Sequence, residues 1–206
     1  MENLENLKDI WKNQGESNIR FTQDDIHKMV QKKSSSIVKW ILIISLLEFI
    51  LPNLMFLFTD FKGTREFYQQ YGLSSNMMIF TVVHMIIILA FIYVFYKNYK
   101  NISAESTVKL LLSNILKTRR TVKYYIYYNL TMMGIIGVNI FYAAYKSPTF
   151  QNSLSSDTSM LMIWIVSIVL LSLALFVFWI FYRIIYGFFL KKLKRNYAAL
   201  SHQDGL

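Results

Sequence analysis

Residues 97–121 read KNYKNISAESTVKLLLSNILKTRRT, with Lys97, Lys100, Lys109, Lys117, Arg119 and Arg120 set against a single acid, Glu105. This segment separates two apolar stretches, near 76–96 and 122–145, and two more apolar stretches lie near 37–59 and 160–182. On both sides of it the charge pattern alternates. Of the 22 Lys and Arg residues, 19 fall before the first stretch, between the second and third, or after the fourth, counting Lys39 and Lys123 at the bordering helix ends. The other two connecting segments hold only Lys62, Arg65 and Lys146, each offset by an acid in the same segment (Asp60, Glu66, Asp157). Lys and Arg accumulate on the cytoplasmic flanks of membrane helices. The alternation therefore predicts four membrane crossings, with the N- and C-termini both cytoplasmic.

The expected fold class is all-α, an integral membrane four-helix bundle with a short cytoplasmic amphipathic arm. Its predicted parts are the arm over 1–36, a first transmembrane hairpin over 37–96 and a basic cytoplasmic helix over 97–121. A second transmembrane hairpin over 122–182 and a basic cytoplasmic tail helix over 183–206 follow. Each apolar stretch has the roughly 20 residues needed to cross about 30 Å of hydrocarbon. A hydrophobic content of 54% with 17% aromatics would leave exposed patches on a soluble domain of this length. The first stretch begins near Ile37, behind a polar arm too long for a signal-peptide n-region, and is expected to be retained. A net charge of +10 is explained by positive-inside topology and attraction to anionic membrane lipid, and no direct nucleic-acid contact is expected. With no Cys in the chain, disulfides, thiolate metal sites and Cys nucleophiles are excluded.

The arm reads as two short amphipathic helices. Leu4, Leu7, Ile10 and Trp11 recur at helical spacing in the first, which ends at Asn13-Gln14-Gly15. The second opens with Thr22 as cap and Asp24 and Asp25 against the N-terminal dipole, and Phe21 is placed to staple onto Ile26. Ser34-Ser35-Ser36 then reads as a hinge into the membrane. Isolated helices this short are marginal in water. The apolar stripe must therefore lie on the bilayer, pack on the protein's own cytoplasmic helices, or dock into a groove on a soluble partner. The arm's balanced charge, six basic and six acidic residues, is poor material for lipid electrostatics alone and keeps the protein contact open.

Offsetting the chain by 84 residues aligns Val38-Lys39-Trp40 with Val122-Lys123-Tyr124, Ser75 with Ser159, and Met78-Ile79-Phe80 with Met162-Ile163-Trp164. The matches suggest one unit used twice, a helical hairpin with a basic entry and a basic amphipathic exit. Two crossings per unit would make the copies parallel. Tyr124, Tyr125, Tyr127 and Tyr128 read as aromatic anchors at headgroup level, and Gly134 and Gly137 as a place where a neighbouring helix comes close. Arg183 is expected to reach headgroups from the end of the fourth helix.

Glu48 carries the sharpest local signal, because a carboxyl near mid-membrane is costly and normally faces protein or a water-filled cavity. His84 of the next helix is its expected partner, at nearly the same depth. Three readings stay open: a polar clamp locking the first hairpin, a proton-sensitive site or part of an ion path, and side chains snorkelling along the lipid face. Ser45, Asn53, Asn129 and Asn139 are the further polar candidates, and Pro52 should bend the outer half of the first helix. The three histidines, His27, His84 and His202, are too scattered for a metal site, and no phosphate-binding Gly loop or nucleophile elbow occurs. No enzymatic activity, cofactor or metal is expected.

Leu4-x-x-Leu7-Lys8-x-x-Trp11-Lys12, the Lys/Ser-rich approach to the first helix, and the closing Leu190-Lys191-Lys192-Leu193-Lys194 together resemble a family of small four-helix inner-membrane proteins of Bacteroidota. These are often encoded beside extracytoplasmic-function sigma factors. The resemblance implies a membrane-tethered regulator similar to an anti-sigma factor, although the His/Cys zinc pattern of better-defined anti-sigma domains is absent. The leading expectation is a non-enzymatic regulator or adaptor that uses Leu4, Leu7, Ile10 and Trp11 to bind a soluble partner. A structural subunit of a larger membrane complex is the alternative. A small transporter or ion-coupled protein built on Glu48 and His84 comes third.

Overall fold

The computed structural model describes residues 22–58, 61–71, 74–105, 107–153 and 159–201. Among them are six helices: α1 (Gln23–Leu57), α2 (Phe61–Gln70), α3 (Ser74–Ala104), α4 (Val108–Lys146), α5 (Pro148–Ser153) and α6 (Met160–Ser201). No strand occurs among the described residues. α1, α3, α4 and α6 contain the four spans long and apolar enough to cross a membrane. At 35, 31, 39 and 42 residues they reach roughly 46–63 Å at 1.5 Å per residue. The surplus over a bilayer core extends beyond the apolar stretches, at the end of the bundle where the basic residues collect.

This continuity corrects the expected division of the chain. The second arm helix and the first membrane helix are one element, α1, and the serine run is no hinge. Ser34 is fully buried, and Asn196 Nδ2 of α6 donates to its Oγ at 2.9 Å. A serine here lets two helices approach while satisfying an amide. Likewise the expected basic helix over 97–121 is divided, 97–104 ending α3 and 108–121 beginning α4, and the tail helix is the last part of α6. Neither junction contains Pro, Gly187 is accommodated within α6, and stopping a helix would strand four backbone groups on each side of the break. At the start of α1, Thr22 and Asp25 cap reciprocally: Asp25 N–H donates to Thr22 Oγ1 at 3.2 Å, and Thr22 N–H to Asp25 Oδ2 at 3.0 Å.

The four long helices form a ring in which α1 packs chiefly on α3 and α4 on α6, closed by α3 against α4 and α1 against α6. The best-buried residues at the basic end recur with a period of 3.5: Ile88, Phe95 and Ile102 on α3, Tyr186, Leu193 and Leu200 on α6, and Leu111, Ile115, Thr118, Val122 and Tyr125 on α4. A seven-residue repeat keeps one seam facing inward along a left-handed supercoil. Gln31 Nε2 of α1 closes this end by donating to the carbonyls of Ile102, Ser103 and Glu105, at 3.3, 3.1 and 2.6 Å, groups that the end of α3 leaves without helical partners. The opposite, loop end is looser. Met55, Phe58, Met78 and Leu161 are each more than two-thirds exposed there, an exposure that lipid tails tolerate as well as a protein core would.

Each hairpin runs long helix, short helix, long helix. Corresponding helices begin at Gln23 and Val108, and at Ser74 and Met160, close to the 84-residue offset of the sequence matches.

Candidate functional site

Because the helices pack tightly at the basic end and loosen beyond it, a cavity of about 420 Å³ opens between α1, α3, α4 and α6, with Tyr68 of α2 on its wall. Glu48 and His84 both line it. Each takes a tyrosine of α4 in place of the other. Tyr125 Oη donates to Glu48 Oε2 at 2.5 Å, and Tyr128 Oη lies 3.2 Å from His84 Nδ1, with the two rings stacked at 14° and 5.7 Å between centroids. No hydrogen bond or ion pair joins Glu48 to His84 directly, though the expected pair does face one cavity. A tyrosine hydroxyl stands far enough from its backbone to enter the space between α1 and α3, so the neighbouring helix reaches both polar groups first. The contacts consequently tie the first hairpin to the second.

Tyr125 and Tyr128 lie on the inward face of α4, whereas Tyr124 and Tyr127 are more than half exposed. Only half of the tyrosine cluster therefore has the outward setting expected of headgroup anchors. Tyr125 sits inside an aromatic cluster: Phe91 and Phe95 of α3 meet it edge-on at 5.5 Å, Tyr186 lies at 5.8 Å and Tyr182 at 6.5 Å. Tyr186 Oη lies near the Glu48 carboxyl, but neither it nor Glu48 Oε1 completes a hydrogen bond.

Of the further polar candidates, Asn53 and Asn129 line the cavity and Ser45 and Asn139 do not. All four donate to carbonyls of their own helices: Phe49 at 2.6 Å, Tyr125 at 2.8 Å, Leu42 at 2.9 Å and Ile135 at 2.9 Å, respectively. α1 continues through Pro52 to Leu57. The proposed partner-contact residues Leu4, Leu7, Ile10 and Trp11, and Phe21 with them, lie outside the described residues. The tyrosines of α4 and α6 were the neighbours of Glu48 and His84 that the sequence reading missed. The spacing Val122, Tyr125, Asn129 was the available signal, since it continues the inward stripe of Leu111, Ile115 and Thr118.

Two other cavities lie between the helices of the second hairpin. Lys123 and Arg183 line a cleft of about 240 Å³ between α4 and α6, where the Arg183 guanidinium lies over the Trp179 ring at 5.0 Å. A larger cavity, about 480 Å³ between α4, α5 and α6, is lined almost wholly by apolar groups such as Phe141, Phe150 and Leu170 and offers no chemistry. No group of three or more potential metal ligands occurs among the described residues.

Four apolar helices, a heptad-packed end and a cavity lined by Glu48 and several tyrosines define an α-helical membrane bundle. Within that class the chain belongs to the family described as Domain of unknown function (DUF8845), whose model matches residues 24–205. None of the curated proteins and none of the solved structures compared with the chain matches it.

Proposed function

We propose that this protein is a non-enzymatic membrane regulator or adaptor, resident in a bacterial inner membrane with its basic end and both termini in the cytoplasm. Its arm recruits a soluble partner through Leu4, Leu7, Ile10 and Trp11, in the manner of an anti-sigma factor. The observation that carries the reading is the packed basic end. All four long helices continue past their apolar stretches into a seam with a seven-residue repeat. α1, which follows the arm, runs unbroken from Gln23 into the apolar span. A partner held by the arm would thus be fixed to a folded platform at the membrane surface, and the Lys123/Arg183 cleft suits anionic lipid at the same level.

The test is crosslinking and recovery of partners from native membranes, comparing the intact protein with one lacking residues 1–14. Loss of a soluble partner on truncation supports the adaptor. Unchanged recovery of membrane partners alone supports the structural-subunit reading instead. A second reading, a small ion-coupled protein using Glu48 and His84, is favoured by the placement of both on one cavity wall, and solute flux in vesicles that depends on Glu48 would separate it from the first.

A further inference from the structure

We propose that the Glu48 cavity is a binding site for a small organic cation of the amine or quaternary ammonium class. The inference stands apart from the adaptor reading and holds whether or not the arm recruits a partner. It begins with charge. Among the described residues Glu48 is the one acid on the cavity wall, and no Lys or Arg lines it. A carboxylate placed within an apolar span needs a counter-charge or a full set of hydrogen bonds. Glu48 has one closed bond, from Tyr125 to Oε2, while the Tyr186 hydroxyl lies near the carboxyl without closing a second to Oε1. His84, the one basic side chain on the wall among the described residues, is engaged with Tyr128 and forms no ion pair with Glu48.

The walls supply the rest. Phe49, Tyr68, Tyr125 and Tyr182 line the same space, and the negative face of an aromatic ring attracts a cation, most strongly where water is excluded. A volume of about 420 Å³ falls within the roughly 300–1,000 Å³ of small-molecule sites. The second hairpin has no equivalent site. The positions 84 residues beyond Glu48 and His84 are Met132 and Ile168, so the two hairpins differ chemically at the point where a symmetric pair of sites would stand.

The test uses the full-length protein in maltoside micelles, which carry no ammonium headgroup, and titration calorimetry with benzyltrimethylammonium and its neutral isostere neopentylbenzene. The cation should bind saturably and at least about tenfold more tightly than the isostere. Glu48→Gln should weaken it by about tenfold or more, Tyr182→Leu should weaken it too, and Tyr182→Phe should retain it. Circular dichroism and gel filtration check the fold of each variant. Should Glu48→Gln fail to fold, the Tyr182 pair decides. Absence of binding, equal binding of the two probes, full affinity in folded Glu48→Gln, or indifference to Tyr182→Leu would each overturn the proposal.

Discussion

Tyr125 and Glu48 join the two hairpins across the diagonal of the bundle. The hydroxyl of Tyr125 on α4 donates at 2.5 Å to Glu48 Oε2 on α1, two helices that otherwise touch little. The bond answers the burial of a carboxyl in an apolar span and fixes the rotation of both helices about their axes. Tyr125→Phe should therefore destabilise the bundle by about 1–2 kcal/mol in a denaturing-detergent titration, the upper range for polar contacts between membrane helices. Glu48→Ala should cost a similar amount. The double variant should cost less than the sum, because both changes remove one interaction. Full additivity would show that the bond contributes nothing.

The uneven packing predicts an uneven response to truncation. Leu193 is completely buried in the heptad seam, whereas Leu161 at the loop end is 68% exposed. In the same titration Leu193→Ala should cost about 2–5 kcal/mol, and Leu161→Ala should stay within about 0.5 kcal/mol. Equal losses would place the stabilising core elsewhere.

Gly137 and Gly134 should differ. A methyl group at Gly137 would overlap the end of Leu171, while one at Gly134 would sit at ordinary contact distance from Leu175. Gly134→Ala should be neutral or stabilising by up to about 1 kcal/mol through helix propensity. Gly137→Val should destabilise by about 1–3 kcal/mol through overpacking, and Leu171→Ala should restore part of that loss. Failure of the rescue would mean that the clash lies with another neighbour.

Topology is directly accessible because the chain has no Cys. Single cysteines at Ser74 or Ser155 should react with an impermeant reagent from the periplasmic side. Those at Ser35, Ser113 or Ser201 should react only after lysis of spheroplasts. Labelling of the second group in intact spheroplasts would overturn the four-crossing orientation.

The adaptor reading rests on a short apolar stripe. Trp11→Ala should abolish recovery of the soluble partner, since truncating a buried aromatic anchor costs about 2 kcal/mol or more. Membrane insertion and helical content should be unchanged. Undiminished recovery would move the contact surface to the basic ends of α4 and α6.

The number of apolar helices was legible along the chain because hydropathy is a local property, summed over about 20 residues and independent of what those residues touch. Glu48 stood out for the same reason: a carboxyl among Leu, Ile and Phe signals its cost wherever the helix points. Thr22 and Asp25 also read correctly as a helix start, their partners being three residues apart. Three-dimensional packing decided the remainder. Tyr125 continues the spacing of Leu111, Ile115, Thr118 and Val122, but the sequence does not show what that stripe faces, and only the packing of α4 against α3 and α6 turned Tyr125 and Tyr128 inward. The seven-residue spacing of Tyr186, Leu193 and Leu200 is present in the sequence but continues an element, α6, whose preceding residues are apolar on every face, so amphipathic contrast cannot mark the seam. Ser34 looked like a hinge until Asn196 was placed against it. The partner of Glu48 is the clearest case. Depth along the helices pointed to His84, yet hydrogen bonds depend on rotation and reach as well as depth, and the bundle brought Tyr125 to the carboxyl.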